Sequence, residues 1–318
     1  MQKSLENCNL GAFILKEKLG EGATGQVWLA TSQQKNVAIK LLHSNLFHDS
    51  WAIESFEREL RATSQLYHPN IGAVHDYGDL SSVPTHPHII SFFGERAPFL
   101  ILDYIEGASL HNITQPLQWD DIYIIICQVL QALAHAHARN IIHRDIKPSN
   151  IIISPQGDSC TLVDFGLAIH TMNRGKGAVD ITGTPAYMAP EQWYTDSRLQ
   201  GPWTDLYSLG CVLWRFITGS PPFGRENTDQ VRDGHLYTPL PEFENIIAIP
   251  EGIEQWLYCL LSKESLSRYP RAADARKSLE SFCNTPMKPP VYTMMNKSIS
   301  TEESTIKIAT LVLFTLII

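Results

Sequence analysis

Positive charge is scarce in this chain of 318 residues: 25 Lys and Arg stand against 33 Asp and Glu, a net −8. A nucleic-acid-binding surface needs a basic stripe, so that class is disfavoured, although a local basic groove fits inside an acidic total. Paired cysteines are missing as well. Cys8, Cys127, Cys160, Cys211, Cys259 and Cys283 contain no C-x-x-C pair, so neither a zinc site nor a disulfide framework is indicated. They read as buried or incidental thiols of a reducing compartment. The segment Met1 to Gly11 lacks the apolar core of a signal peptide, and the body of the chain is expected in the cytosol. Disorder is excluded too: hydrophobic residues make up 44% and charged residues 18%, the balance of a globular protein.

What is present is concentrated in one octet, His143-Arg144-Asp145-Ile146-Lys147-Pro148-Ser149-Asn150. Asp145 can accept a proton from an attacking hydroxyl, Lys147 can steady a phosphoryl group in transit, and Asn150 can hold Mg²⁺. Phosphoryl transfer asks for that division of labour, because its catalysis is mostly positioning and charge neutralisation. The octet resembles the catalytic loop of eukaryotic-type (Hanks-type) protein kinases. The form with Lys147 resembles the serine/threonine branch, in its bacterial flavour.

The front of the chain carries Leu19-Gly20-Glu21-Gly22-Ala23-Thr24-Gly25-Gln26-Val27. Glycines at this spacing let a backbone approach phosphate oxygens with its N–H groups free. A dinucleotide-binding motif would open a helix here. Instead Val27-Trp28-Leu29-Ala30 continues as a strand, and Val37-Ala38-Ile39-Lys40 forms the next. This pair resembles the glycine-rich loop and V-A-I-K strand of protein kinases. The resemblance implies that residues Leu19 to Val27, with Ala38, enclose ATP, and that Lys40 reaches its α- and β-phosphates. It also implies an ion pair from Lys40 to Glu59 on a helix over Ser55–Leu66, with Glu57 turned to solvent. Leu102, Asp103 and Ile105 would meet the adenine.

Past the octet, Asp164-Phe165-Gly166 follows a short strand, where a carboxylate can bridge Mg²⁺ to phosphates; Asn150 and Asp164 are thus the expected metal ligands. Ala189-Pro190-Glu191 closes the next segment. The resemblance implies a buried pair between Glu191 and Arg268, an Asp205 carboxylate that braces the catalytic loop, and Thr184 beside Asp145 and Lys147. Arg144 would receive a phosphate on the segment Leu167–Ala189, with Asp180 as a fixed-charge substitute and Thr182 as the autophosphorylation site. Asp121–Asn140 reads as a helix with Ile124, Ile125, Leu130, Leu133 and Ala134 on its buried face. His135 and His137 face different sides of it and read as packing, not metal ligation.

The expected fold is α+β and bilobal: a small lobe (13–103) with a five-stranded antiparallel sheet and one helix, and a larger, mainly helical lobe (106–283). Residues 1–12 form an extension, 284–305 a polar linker and 306–318 an apolar tail. Ile308–Ile318 would span about 16 Å as a helix against a hydrocarbon core of about 30 Å. It reads as a shortened transmembrane helix, a membrane-associating tail, or an element packed on the domain. The insertion Leu80–Ala97 exceeds what a hairpin needs, and either packs on the small lobe or binds something. The implied activity is transfer of the ATP γ-phosphoryl to Ser/Thr of protein substrates with Mg²⁺, including self-phosphorylation, with dimerisation left open. The alternatives on this fold are a pseudokinase-like scaffold and a small-molecule phosphotransferase. The first would lack Lys40, Asp145, Asn150 or Asp164. The second would lack Lys147 and the Ala-Pro-Glu closure. All are present.

Overall fold

The computed structural model describes residues 4–22, 24–44, 56–57, 60–113, 117–165, 184–194 and 196–291. Ala23, Glu59, Asp180, Thr182 and the tail 306–318 lie outside them. Among the described residues no helix is long and apolar enough to cross a membrane.

Six strands form the small lobe: β1 (Asn9–Leu10), β2 (Phe13–Gly22), β3 (Gly25–Ser32), β4 (Lys35–Leu42), β5 (Val74–Asp79) and β6 (Pro98–Asp103). They pair antiparallel in the order β1-β2-β3-β4-β6-β5. Side chains alternate between faces, and the register sorts them. Lys40 lies opposite Val27 and Leu100, and Ala38 opposite Leu29 and Leu102; all six share the face toward the large lobe. Trp28, Ile39, Leu41, Phe99 and Ile101 take the other face and are buried there.

What covers that outer face resolves the insertion. Leu5, Cys8 and Leu10 pack on it from the N-terminal side, and Leu80, Ile89, Phe93 and Ala97 from the insertion. The insertion holds a helix, α1 (Pro87–Phe93). His86 caps it through a side-chain nitrogen that accepts the His88 N–H, and Pro87 starts it with a preset φ. Ile89 and Phe93, one turn apart, turn to the sheet. The expected small lobe of five strands and one helix is therefore corrected: the short β1 adds a strand, and α1 adds a helix to the helical residues 56–57 and 60–63.

The large lobe opens with β7 (Ala108–Ser109) and α2 (Trp119–His137). The sheet β7-β8-β9 follows, with β8 (Ile151–Ile153) and β9 (Cys160–Leu162). Then come α3 (Pro202–Thr218), α4 (Thr228–Leu236), β10 (Ile249–Pro250), α5 (Ile253–Leu260) and α6 (Ala272–Glu280). Pro202 at the first turn and Gly219 with φ +91 at the end bound α3 from its sequence alone. On α2 the buried stripe is Ile122, Ile125, Ile126, Val129, Leu130 and Leu133, spaced by three and four residues. Ile124 is 39% exposed, against expectation, because it sits about 200° around the helix from Ile122.

Of the expected polar linker only residues 284–291 are described, and these are packed on the large lobe. Met287–Lys288 forms β11, antiparallel to β10, and Asn245 Nδ2 donates to Pro289 O at 2.9 Å. Asn245 is fully buried; backbone partners, which no hydropathy pattern displays, hold this segment down.

Phe93 is buried to 2% under the sheet, so Phe93→Ala is expected to cost about 3–5 kcal/mol. Hydrogen exchange by mass spectrometry checks this: protection falls across β3, β4 and β6, and an unchanged exchange pattern contradicts the packing described.

Candidate active site

Two segments of opposite lobes are stitched together beside the cleft. Asn70 O accepts the Leu162 N–H (2.9 Å), Leu162 O accepts the Gly72 N–H (3.0 Å), and the Asn70 amide donates to Cys160 O (2.8 Å). This junction places Asp164, two residues past β9, under the β4 strand that carries Lys40. The Lys40 ammonium meets an Asp164 carboxylate oxygen at 2.9 Å. Burial pushes the Asp164 carboxyl up, but Lys40, with Lys147 and His143 behind it, outweighs that and holds it below the usual carboxylate range. Asp164 has φ +64, a left-handed conformation that a short polar residue tolerates best. Phe165 anchors the turn, buried at 2% with its ring 4.6 Å from that of His143.

The octet is built as tightly. Lys147 Nζ lies 2.7 Å from Asp145 Oδ2. Asn150 Nδ2 donates to Asp145 O (2.9 Å) and Oδ2 (3.1 Å), and its Oδ1, which accepts only a long bond from the Ser149 hydroxyl (3.5 Å), is the atom able to face a metal. Val163 N donates to Asn150 O at 2.9 Å, tying the octet to the segment that ends in Asp164. Lys40, Asp164, Lys147, Asp145 and Asn150 are therefore brought together. The oxygens of Asn150 and Asp164 are the hard donors that Mg²⁺ prefers, so these residues fit that ion.

Beneath the octet lies a fully buried carboxylate. Asp205, in α3, accepts the N–H groups of His143 and Arg144 and the His137 ring nitrogen, each at 2.8 Å. Burial pushes its carboxyl up, but the His137 bond and the charges and donors around it hold it below the usual range. The bracing role expected of Asp205 is what the structure has; the part of His137 in it was not legible in the sequence. His135, two residues earlier, packs instead against His68, with the rings tilted and their centroids 5.2 Å apart. Glu191 pairs bidentately with Arg268 (2.8 and 3.0 Å) and accepts the Thr204 hydroxyl at 2.7 Å. Gln192 then reaches Arg144 O at 2.7 Å, a link that sequence reasoning also missed.

The glycine-bearing hairpin separates into two kinds of glycine. At Gly25, φ is +152 and an added Cβ would collide with Leu41 O, so the fold itself demands glycine. At Gly20 and Gly22 an added Cβ meets nothing within 4 Å. No packing requires glycine there; the bare backbone leaves room for a ligand. Side chains of the same stretch are committed elsewhere. Glu21 is held by Lys18 (2.8 Å) and Gln26 (3.1 Å), and buried Gln26 accepts the Trp28 ring N–H. Of the expected nucleotide contacts, Glu21 and Gln26 are thus left with backbone groups to offer. The Thr24 carbonyl is also engaged, by the His43 N–H at 3.0 Å.

Leu19 is 44% exposed above the cleft and Ala38 is buried in it. Leu102 packs beside Leu100 and Val74. At the junction of the lobes, the Asp103 carboxylate accepts the Ala73 N–H (2.9 Å) and contacts His75 (2.6 Å). Its side chain thereby holds the connection rigid and leaves the backbone to a ligand. Among the described residues the Ile105 N–H has no hydrogen-bond acceptor, which suits the edge of a base. Glu57 pairs with Arg61 at the surface, as expected.

The family model for the protein kinase domain matches residues 13–283. The chain is 31% identical over 291 residues to a probable serine/threonine-protein kinase PknB of Bifidobacterium longum, covering 86% of this chain and 40% of that protein. It is 32% identical over 276 residues to serine/threonine-protein kinase PknB of Mycobacterium tuberculosis, covering 84% and 42%. It thus spans about two fifths of the length of these curated relatives. The fold is similar to that in the crystal structure of the Mycobacterium tuberculosis PknI kinase domain, with a TM-score of 0.63, 20% identity, and coverage of 88% of this chain and 99% of that one.

Two outcomes follow from the geometry. Gly25→Ala lowers Tm by several degrees because the backbone of β4 blocks the new carbon, whereas Gly20→Ala and Gly22→Ala leave it within about 1 °C, as surface changes do; differential scanning fluorimetry compares them. The Asp205 carboxyl has a folded pKa below its unfolded value of about 3.9. Its contribution is therefore complete above that value and lost as pH falls through the folded pKa. Asp205→Asn is expected to cost about 3 kcal/mol near neutrality, as a broken buried pair does, and to flatten the acid limb of stability against pH. Urea titrations at a series of pH values test this, and an acid limb as steep as wild type counts against it.

Proposed function

The chain belongs to the protein kinase domain family, and from that premise we propose that it transfers the γ-phosphoryl group of ATP to serine or threonine hydroxyls of protein substrates, itself included. The observation that carries this reading is the convergence of Lys40, Asp164, Lys147, Asp145 and Asn150 through contacts of 2.7 to 3.1 Å.

Each group has a task set by its surroundings. Asp145, its carboxylate held by Lys147 and Asn150, orients the attacking hydroxyl and takes its proton. Lys147 is placed to move from Asp145 toward the phosphoryl oxygens as charge builds on them, the kind of stabilisation that dominates such reactions. Lys40, buried near the end of its strand, meets the α- and β-phosphates, and Glu59 is the partner proposed to direct it. The backbone of Gly20, Gly22 and Thr24 covers the phosphates. Ala38, Leu19 and Leu102 enclose the adenine, with Asp103 O and Ile105 N–H at its edge. Asn150 and Asp164 would hold Mg²⁺, which would supply charge neutralisation at the phosphate oxygens. The presence of Lys147 and of the Ala189-Pro190-Glu191 closure supports a peptide substrate over a small molecule, and the intact set of polar groups supports an enzyme over a scaffold.

Purified protein incubated with labelled ATP, Mg²⁺ and a generic basic protein is expected to phosphorylate Ser and Thr. Asp145→Asn lowers kcat by about 10²–10⁴-fold, the range for loss of a general base, with nucleotide affinity little changed. Label transfer that persists at the wild-type rate in Asp145→Asn would remove the proposal.

A further inference from the structure

Three metal-binding side chains meet on the outer face of the small lobe, on the far side of the sheet from the nucleotide cleft. Cys8, His86 and His88 place one ligand atom each within 4.8 Å of the others. Cys8 comes from the N-terminal segment and the histidines from the insertion, the two parts of the chain that the protein-kinase pattern leaves unexplained. Backbone bonds bring them together. Gly11 N donates to Pro84 O (2.7 Å), His86 N donates to Asn9 O (2.9 Å), and Leu10 bridges Thr85 antiparallel. That short zipper fixes Cys8 beside His86 without any side-chain help.

The three groups are held in place, and apart from the His86 cap of α1 their side chains make no hydrogen bond among the described residues. Cys8 is 4% exposed, and among the described residues its thiol has no hydrogen-bond partner. One nitrogen of His86 accepts the His88 N–H at 3.2 Å, a bond that zinc ligation replaces, since a neutral imidazole that gives one nitrogen to a metal carries its proton on the other, and the two imidazoles meet edge to face at 4.8 Å. One thiolate and two neutral imidazoles form a borderline-soft donor set of the kind that selects zinc. Bonds of about 2.0 Å to nitrogen and 2.3 Å to sulfur in a tetrahedron would put the ligand atoms about 3.3–3.7 Å apart. Small side-chain rotations close the remaining gap. Spacing rules read from sequence cannot find this set, since Cys8 lies far along the chain from the histidine pair.

We propose that Cys8, His86 and His88 bind one zinc ion, with water as the fourth ligand, and that this ion staples the N-terminal segment to the insertion. Binding releases the thiol proton of Cys8 to solvent as the sulfur–zinc bond forms. The staple bears on the cleft through α1, because Phe93 stacks on His43 at 5.3 Å, just beyond the end of β4 and its Lys40.

The full chain, expressed with zinc and desalted, is expected to carry about one zinc by elemental analysis, and both Cys8→Ser and His88→Gln to lose it. Zinc at a hundredfold excess over its Kd should raise Tm of the stripped wild type by roughly 5 °C, and should not do so in either variant. Substitution with Co²⁺ reports the sulfur directly: a thiolate-to-cobalt charge-transfer band appears in wild type and is absent in Cys8→Ser. None of these readouts depends on phosphoryl transfer. Zinc below about one tenth per chain, or zinc and the cobalt band retained in Cys8→Ser, overturns the proposal. Should Cys8→Ser fail to fold, His88→Gln at its partly exposed position carries the same comparison of zinc content and Tm.

Discussion

The buried carboxylate of Asp205 is the interaction on which the cleft depends. A loop such as His143–Asn150 cannot satisfy its own backbone as a helix or sheet does, and Arg144 holds a left-handed φ of +66. Left alone, such a segment would sample many conformations. Asp205 removes that freedom by accepting two successive backbone N–H groups and the His137 ring. An ionised carboxylate with no exposure is costly unless its lone pairs are filled, and here they are. The charge is thereby converted into position, which is what the base role proposed for Asp145 needs, since small displacements of reacting groups are expensive in rate.

The same logic recurs one layer out. Arg268 donates to both Glu191 oxygens and to the carbonyls of Ser262, Trp203 and Lys263, and its guanidinium lies 4.7 Å over the Tyr207 ring. With every donor direction engaged, this pair orders the segment after Ala189 more than it adds net stability. Gln192 passes that order back to the carbonyl of Arg144. In the cleft, two cations and two carboxylates alternate as Lys40, Asp164, Lys147 and Asp145, so each of these four charges faces one of opposite sign. The small lobe solves a different problem. A sheet must be covered on both faces or leave one to water; here the N-terminal segment and α1 close the outer face, freeing the inner one for a ligand.

Chemistry was the most legible layer of this chain. The octet, the glycine hairpin with its lysine strand, and the Asp164 turn each carry residue types whose function depends on close spacing, and close spacing survives in one dimension. The buried partners Glu191 and Arg268 were readable only through family resemblance, being far apart in the chain. Where reasoning from pattern failed, the cause was physical. Ile124 is as apolar as Ile125, and only helix phase against the neighbouring packing sends it outward. Met287–Lys288 looked like linker because an edge strand of polar character is held by backbone bonds. The insertion showed proline and phenylalanine, yet nothing in it names the sheet face it covers.

Composition and local motif by themselves determined the lobe order, the glycine-bearing hairpin and the identity of the polar groups gathered at the cleft, because these follow from backbone propensity and from side-chain chemistry over a few residues. Tertiary structure alone decided which distant groups meet: Lys40 with Asp164, His137 with Asp205, and Cys8 with His86 and His88. Those meetings depend on sheet register, helix phase and the junction of Asn70 and Gly72 with β9. Each is set by the burial of many side chains at once, and so none is written in any short stretch of the chain.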